Sequence, residues 1–196
     1  LDTYISANES EKISAFDDLT LVEMIVKNGI NDTIKKVPKN ISKNQGTVAE
    51  VIENNVRRLI TEERPTNPKY YERMSLLLKE LIAERKKKVI KYEQYLDKIA
   101  ELCKKVTHQS SDTEYPDSID SKGKRALYDN LSANDEIALA VDKAIITTKA
   151  DSWRGTRIKT RAVEMAIKKT LKKFNITDDG KINLIFEIIK EEKNGY

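Results

Sequence analysis

Residues 67–82 read NPKYYERMSLLLKELI, and this stretch contains a complete signal for the start of a helix. Asn67 belongs to the residue types that cap helices, and Pro68 suits the first helical position, where no backbone N–H is needed. The apolar stripe that follows consists of Tyr71, Met74, Leu78 and Leu81, with Arg85 in register and Leu77 widening it. Because this spacing matches the helical period, the stretch predicts a helix over residues 68–87.

The same helical spacing recurs along most of the chain. The other predicted helices cover residues 14–28, 47–62, 92–106, 121–131, a segment that starts near 134, 156–174 and 177–193. Residues 30–42 are predicted to form a short helix and a loop, interrupted by Pro38. No segment alternates apolar and polar residues as a strand does. The sequence therefore predicts an all-α fold, an irregular bundle of about seven to eight helices without a substantial sheet.

One long polar loop, residues 107–121, interrupts this series of helices and contains Pro116. It is the best candidate for an internal boundary. The sequence then predicts an N-terminal helical part over residues 1–106, a linker over 107–121 and a C-terminal helical part over 122–196. A single continuous domain is the alternative.

Composition limits the classes of function. The chain has 196 residues and a net charge of +4, which permits nucleic-acid contact without requiring it. Cys103 is the only cysteine, so an internal disulfide is excluded and a reducing, cytoplasmic compartment is expected. No apolar run approaches the roughly 20 residues of a membrane helix, and no secretory signal is present. Because the chain begins with Leu1, we expect a fragment of a longer protein.

Several catalytic motifs are missing. Gly123-Lys124 lacks the partner glycine of a phosphate loop and is followed by Arg125. Asp135-Glu136 is similar to a helicase acidic box, but no apolar strand precedes it. The pair is therefore interpreted as the first turn of a helix, where acidic side chains suit the helix dipole.

Metal sites and nucleophiles are also not indicated. His108 is the only histidine, so a histidine-based metal site or catalytic triad is excluded. Cys103 lies on an apolar helix face and is interpreted as a small core residue. Phe16-Asp17-Asp18 is interpreted as a helix start, with metal binding as the weaker alternative. The sequence predicts no catalytic residue and no metal site in this chain.

A basic segment is the strongest candidate for a binding site. Residues 153–173 carry eight basic residues and one acid. The candidate residues for binding DNA or a partner are Trp153, Arg154, Arg157, Lys159, Arg161, Lys168 and Lys172. The basic stripe is expected to lie opposite a core face that includes Ile158, Ala162, Ala166 and Phe174. A solvated helix face is the alternative to contact with DNA phosphates or an acidic partner. Trp153 is expected to pack in a core or an interface, with base stacking as the alternative.

A second candidate is a group of tyrosines. Four of the eight tyrosines, Tyr70, Tyr71, Tyr92 and Tyr95, lie in one region together with Lys69 and Arg73. Tyrosine suits both helix–helix contacts and protein interfaces, because its ring is apolar and its hydroxyl forms hydrogen bonds. Core packing is the first interpretation. Tyr70, Tyr71 and Arg73 are the weaker candidates for a protein–protein surface.

Six segments, in order along the chain, resemble the C-terminal part of the R subunit of type I restriction endonucleases. They are FDDLTLVE at 16–23, VIENNVR at 51–57, NPKYYERMS at 67–75, YEQYL at 92–96, RALYDNL at 125–131 and WRG at 153–155. The resemblance covers nearly the whole chain. After the last segment the chain has Thr156 where the family pattern leads us to expect Asn.

The resemblance implies a parent protein that is an ATP-dependent, DNA-translocating restriction endonuclease, a hydrolase that uses ATP and Mg²⁺. In that family a nuclease domain and two RecA-like motor domains precede this region, so the fragment itself would hold no cofactor and no active site. The family's helical region is associated with docking the motor onto the methyltransferase and specificity subunits. The resemblance therefore implies an assembly domain, with accessory contacts to DNA.

Two other functions stay open from the sequence alone. The basic segment is compatible with a nucleic-acid-binding module that acts by itself, although the net charge of +4 is low for one. An accessory nucleotide site that uses lysine and arginine without a phosphate loop is the third hypothesis, but the sequence indicates no pocket for it.

Overall fold

The structure, a computed structural model, describes residues 20–109, 115–192 and 195–196. Across these residues every regular element is helical and no strand is present. The α-helices of this part of the chain are α1 (Leu21–Asn28), α2 (Ile30–Lys36), α3 (Lys39–Ser42), α4 (Gln45–Glu63), α5 (Pro68–Lys86), α6 (Tyr92–His108), α7 (Lys122–Asn130), α8 (Asp135–Thr148), α9 (Arg157–Lys173) and α10 (Asp179–Glu191). Two 3-10 turns, Arg64–Thr66 and Trp153–Gly155, lie before α5 and α9. The predicted all-α multi-helix fold is confirmed.

Local capping explains where the helices begin. The Asn67 side chain accepts a hydrogen bond from the Tyr70 N–H at 3.3 Å, and Pro68 is the first residue of α5, as predicted. Asn134 caps α8 in the same way, with its side-chain oxygen 2.9 Å from the Ile137 nitrogen. These bonds satisfy N–H groups that have no acceptor within the helix.

The first helix differs from the prediction. Thr20 has an extended backbone conformation and forms a capping box with Glu23, so α1 begins at Leu21 rather than near residue 14. Residues 14–19, which include the predicted helix start at Phe16-Asp17-Asp18, lie outside the described residues. Residues 30–42 form two short helices, α2 and α3, because Pro38 lacks the N–H that would continue α2.

Buried apolar side chains form two clusters along the chain. The first cluster runs from Leu21 to Val106 and is built by α1 to α6. The second begins at Ile119 and is built by α7 to α10 and the turn at Trp153. Residues 110–114 of the predicted linker lie outside the described residues. None of the helices in the described ranges is long and apolar enough to cross a membrane.

A buried ion pair ties three helices of the first cluster together. Glu53 of α4 is 4% exposed and accepts two bonds from Arg85 of α5, at 2.7 Å from Nε and 3.1 Å from Nη2. The Tyr95 hydroxyl of α6 lies 3.1 Å from the same carboxylate. Burial, and then the charge of Glu53, raise the pKa of Tyr95, so the hydroxyl stays protonated and donates to Glu53. The Glu53 carboxylate is therefore satisfied by donors from two other helices.

Replacing Arg85 tests this network. The Arg85→Ala variant leaves the Glu53 carboxylate buried without its cation, which we expect to lower the free energy of unfolding by about 3 kcal/mol. Chemical denaturation followed by circular dichroism measures the change. The matched control is Lys98→Ala, which breaks the ion pair between Lys98 and Glu84, whose side chains are 51% and 40% exposed. Because solvent screens that pair, its loss should cost less than about 1 kcal/mol. Equal losses in the two variants would contradict the role of the Glu53 network.

Candidate functional site

The turn at Trp153–Gly155 holds the start of α9 against the second cluster. Trp153 is 3% exposed and packs in the core, as the first interpretation expected. The Thr160 hydroxyl donates to the Trp153 carbonyl at 2.8 Å, which fixes the turn to the first residues of α9. A ring buried in this way is not available to stack on a nucleic-acid base.

Arg154 does not point to solvent as the sequence-based interpretation expected. Its guanidinium donates to the carbonyls of Lys190 at 2.8 Å, Ile189 at 2.9 Å and Glu192 at 2.7 Å, and it also bonds the Tyr196 carbonyl. It stacks on the Trp153 ring at 4.4 Å. Carbonyls at the end of a helix carry partial negative charge and lack N–H partners. Arg154 therefore caps the C-terminal end of α10 and is occupied within the fold.

The other predicted basic residues divide into two groups. Lys159 donates to the Asp151 carbonyl at 2.8 Å, and Lys168 forms an ion pair with Asp179 at 2.8 Å, which lowers the pKa of that carboxyl. Arg157, Arg161 and Lys172 are exposed and form no ion pair with the residues that the structure describes. Only this second group is free for an external contact.

The core face of α9 differs from the expectation. Val163, Ile167 and Leu171 are fully buried, whereas Ile158 is 82% exposed. At 100° per residue, Ile158 lies about 180° from the mean direction of the three buried side chains, so a helix packed on that face must expose it. Ala162 is exposed on the same side of the helix, so the expectation that Ile158 and Ala162 belong to the core is wrong.

The exposed side of α9 combines apolar and basic residues. Met165 is 53% exposed. Arg161, Lys169 and Lys172 lie on the same side of the helix, within two turns of it, and are also exposed. We call this surface the α9 outer face and define it as Ile158, Arg161, Ala162, Met165, Lys169 and Lys172. Exposed apolar groups rimmed by charges at helical spacing are typical of a face that binds another molecule.

The tyrosine candidates lie inside the fold. Tyr70 and Tyr71 are each 2% exposed, and their hydroxyls donate to the carbonyls of Lys105 at 2.9 Å and Val106 at 3.3 Å. They pack α5 against the end of α6, which agrees with core packing, the first interpretation. Their rings are not part of an accessible protein–protein surface. Of the three candidates for such a surface, only Arg73 is exposed.

Arg73 belongs to a polar junction that joins the two clusters, which sequence reasoning missed. Its guanidinium lies 3.0 Å from one carboxylate oxygen of Asp129, which has 2% side-chain exposure. The other oxygen accepts from Asn67 and from the Tyr115 hydroxyl, each at 2.8 Å. Asn130 in turn donates to Asn67 at 2.9 Å. The residue that caps α5 therefore also holds α7 in place.

The remaining candidates for chemistry are structural. Cys103 is fully buried, and burial raises the pKa of its thiol to about 12, so it is not a nucleophile at neutral pH. Asp135 and Glu136 form the first turn of α8, which confirms their interpretation as helix residues rather than a helicase motif. Within the described ranges, no group of three or more His, Cys, Asp or Glu residues is placed to hold a metal ion.

Comparisons of this chain with protein-family models, with curated proteins and with solved structures found no match.

The polar junction predicts how the two clusters unfold. In Asp129→Ala the donors of Arg73, Asn67 and Tyr115 lose their shared acceptor, so we expect the two clusters to unfold in separate steps. Trp153 is the single tryptophan, so its fluorescence reports the second cluster, while circular dichroism reports all helices. The two denaturation curves should coincide in the unmodified chain and separate in the variant. The exposed control Asp117→Ala should keep them together; coinciding curves in Asp129→Ala would contradict the coupling.

Two arginines of the predicted site are expected to behave differently. Arg154→Ala removes the charged donor from four carbonyls around the end of α10, which we expect to lower the free energy of unfolding by about 2–3 kcal/mol. Arg157→Ala removes an exposed side chain and should change the free energy of unfolding by less than about 0.5 kcal/mol. Thermal unfolding of both variants measures the difference, and similar effects would contradict the capping role of Arg154.

Proposed function

We propose that this chain is the helical assembly domain of the R subunit of a type I restriction enzyme. In this proposal it docks the ATP-dependent DNA translocase and endonuclease, which uses ATP and Mg²⁺, onto the methyltransferase and specificity subunits in the cytoplasm. The ordered resemblance of six segments supports the family, and the α9 outer face carries the docking role. This face supplies apolar contact area and positive charge on one rigid helix.

The resembling segments also contain several residues that make long-range polar contacts. Glu53 lies in the segment at 51–57, Asn67 and Arg73 in 67–75, Tyr95 in 92–96, and Asp129 in 125–131. The positions at which the chain resembles the family therefore include residues that hold the helices together. The resemblance supports a helical scaffold of the family's kind, whereas the docking surface has to be argued from exposure.

The chemistry of the α9 outer face favours a partner surface that is apolar and acidic. Ile158, at 82% exposure, and Met165, at 53%, offer apolar area that phosphate groups do not use. Lys169 and Lys172, one turn apart, flank them with positive charge. Burying the two apolar side chains would contribute about 1.5–3 kcal/mol each. The cations would orient the approach of the partner.

Contact with DNA is the second candidate function. Arg157, Arg161 and Lys172 are exposed and without ion pairs among the described residues, so they are available to phosphates. Three phosphate contacts give weak binding that decreases steeply with salt, which suits an accessory contact within a larger complex.

Two double variants separate docking from DNA contact. Ile158→Glu/Met165→Glu should prevent co-elution of the chain with the methyltransferase–specificity complex, a loss of at least about tenfold in affinity, because buried apolar area is replaced by charge. Arg157→Ala/Arg161→Ala should instead weaken binding to duplex DNA and reduce its salt dependence by about two ion equivalents. Size-exclusion chromatography and fluorescence anisotropy measure the two effects.

The control is Lys86→Ala/Lys87→Ala, which removes two exposed charges at the end of α5. It should leave both co-elution and DNA binding unchanged. If the folded, unmodified chain does not co-elute with the complex, the docking role is contradicted. If the DNA binding curve of Arg157→Ala/Arg161→Ala is unchanged at every salt concentration, the contact of α9 with DNA is contradicted.

A further inference from the structure

A groove runs between α5 and α6, on a different helix pair from the α9 outer face. It encloses about 410 Å³. Three leucines form its apolar floor: Leu81 and Leu102 are almost fully buried, while Leu77 remains 42% exposed. The apolar stripe of α5 predicted from the sequence included Leu77, but the groove leaves this side chain without a cover from the described residues. We call this surface the α5–α6 groove.

The sides of the groove are mainly acidic. The charged residues that line it are Glu80, Glu84, Asp97, Lys98, Glu101 and Lys105. Lys98 forms an ion pair with Glu84 at 2.7 Å, and Lys104, outside the groove, forms one with Glu101 at 2.7 Å. Glu80 and Asp97 form no ion pair with any residue that the structure describes. Two carboxylates, one on each helix, are therefore exposed beside the apolar floor with no ion-pair partner in the described part of the chain.

We propose that the α5–α6 groove binds a basic amphipathic helix of a partner protein. Leucines of such a helix would cover Leu77 and the floor, and lysines or arginines one turn away would pair with Glu80 and Asp97. An apolar helix face laid into a groove between two helices is a common mode of peptide recognition. The acidic sides repel nucleic acid and acidic peptides, so the groove is distinct in its chemistry from the α9 outer face.

The inference is independent of the proposed function. Both the acidic charge and the exposed leucine belong to this helix pair alone, whichever protein contains the chain. The opposite side of α5 gives an internal comparison, because a second groove between α4 and α5 is lined by Leu76, Arg57, Arg64 and Lys79. Leu76 is 54% exposed on the same helix as Leu77, but the charged residues of its groove are the three basic ones and a single acid, Glu72.

The test uses a synthetic helical peptide of eighteen residues, with leucine at heptad positions a and d and lysine at the others. A second peptide carries glutamate in place of lysine. Fluorescence anisotropy of each labelled peptide is measured against the whole chain. We expect the lysine peptide to bind with a dissociation constant of about 10 µM. The glutamate peptide is the control for the basic surfaces of α9 and of the α4–α5 groove, so its binding should change by less than about twofold in Leu77→Lys.

Matched variants locate the contact. Leu77→Lys should weaken binding of the lysine peptide at least about tenfold, because it places a cation on the floor of the groove. Leu76→Lys adds the same charge one residue away, on the other side of α5, and should change binding by less than about twofold. Glu80→Lys/Asp97→Lys should also weaken binding of the lysine peptide at least about tenfold, because it places two cations beside the apolar floor. All four substituted residues are exposed, and circular dichroism verifies that the variants remain helical.

Three results would overturn the proposal. The first is no saturable binding of the lysine peptide to the unmodified chain. The second is an equal loss in Leu77→Lys and Leu76→Lys, which would indicate general attraction between charges. The third comes from sedimentation of the chain alone: a dimer that Leu77→Lys dissociates would show that a second copy of this chain, rather than a partner helix, occupies the groove.

Discussion

The Asp129 carboxylate is the point on which the arrangement of the two clusters depends. It is nearly inaccessible to solvent, so its charge must be satisfied by protein donors. Arg73 of α5, the cap residue Asn67 and the Tyr115 hydroxyl supply them. Each bond is directional, and together they fix the orientation of α7 on the start of α5. Apolar packing alone would allow the helices to slide, whereas this junction selects one arrangement.

Helix α5 contacts α4, α6 and α7 through different parts of its surface. Its first turn contacts α7 through the junction, Tyr70 and Tyr71 bond the end of α6, and Arg85 reaches Glu53 of α4. The α5–α6 groove and the groove between α4 and α5 lie where these contacts leave the surface of α5 uncovered. They differ in charge. Four acidic and two basic residues of α5 and α6 line one groove, whereas Arg57, Arg64 and Lys79, together with Glu72, line the other.

The basic segment after Trp153 is divided between residues bonded inside the fold and exposed residues of α9. Arg154 bonds the end of α10 and, with Trp153, stabilises the second cluster from within. The exposed residues of α9 then project from a helix whose position these two residues hold. The exposed side of α9 would lose little conformational entropy on binding a partner, because its backbone is already ordered. Docking through α9 would therefore depend on Arg154 without direct contact between Arg154 and the partner.

The sequence by itself determined the all-α class and most helix starts, because caps such as Asn67 and Asn134 act within four residues of themselves. It also placed the basic segment on one helix. Only the tertiary structure decided which basic residues are free and that Ile158 is exposed, since both depend on which neighbours cover each side of α9. The structure likewise decided that Asn67 and Arg73 bond Asp129. Each lies more than fifty positions from Asp129 in the sequence, and no local pattern specifies that pairing.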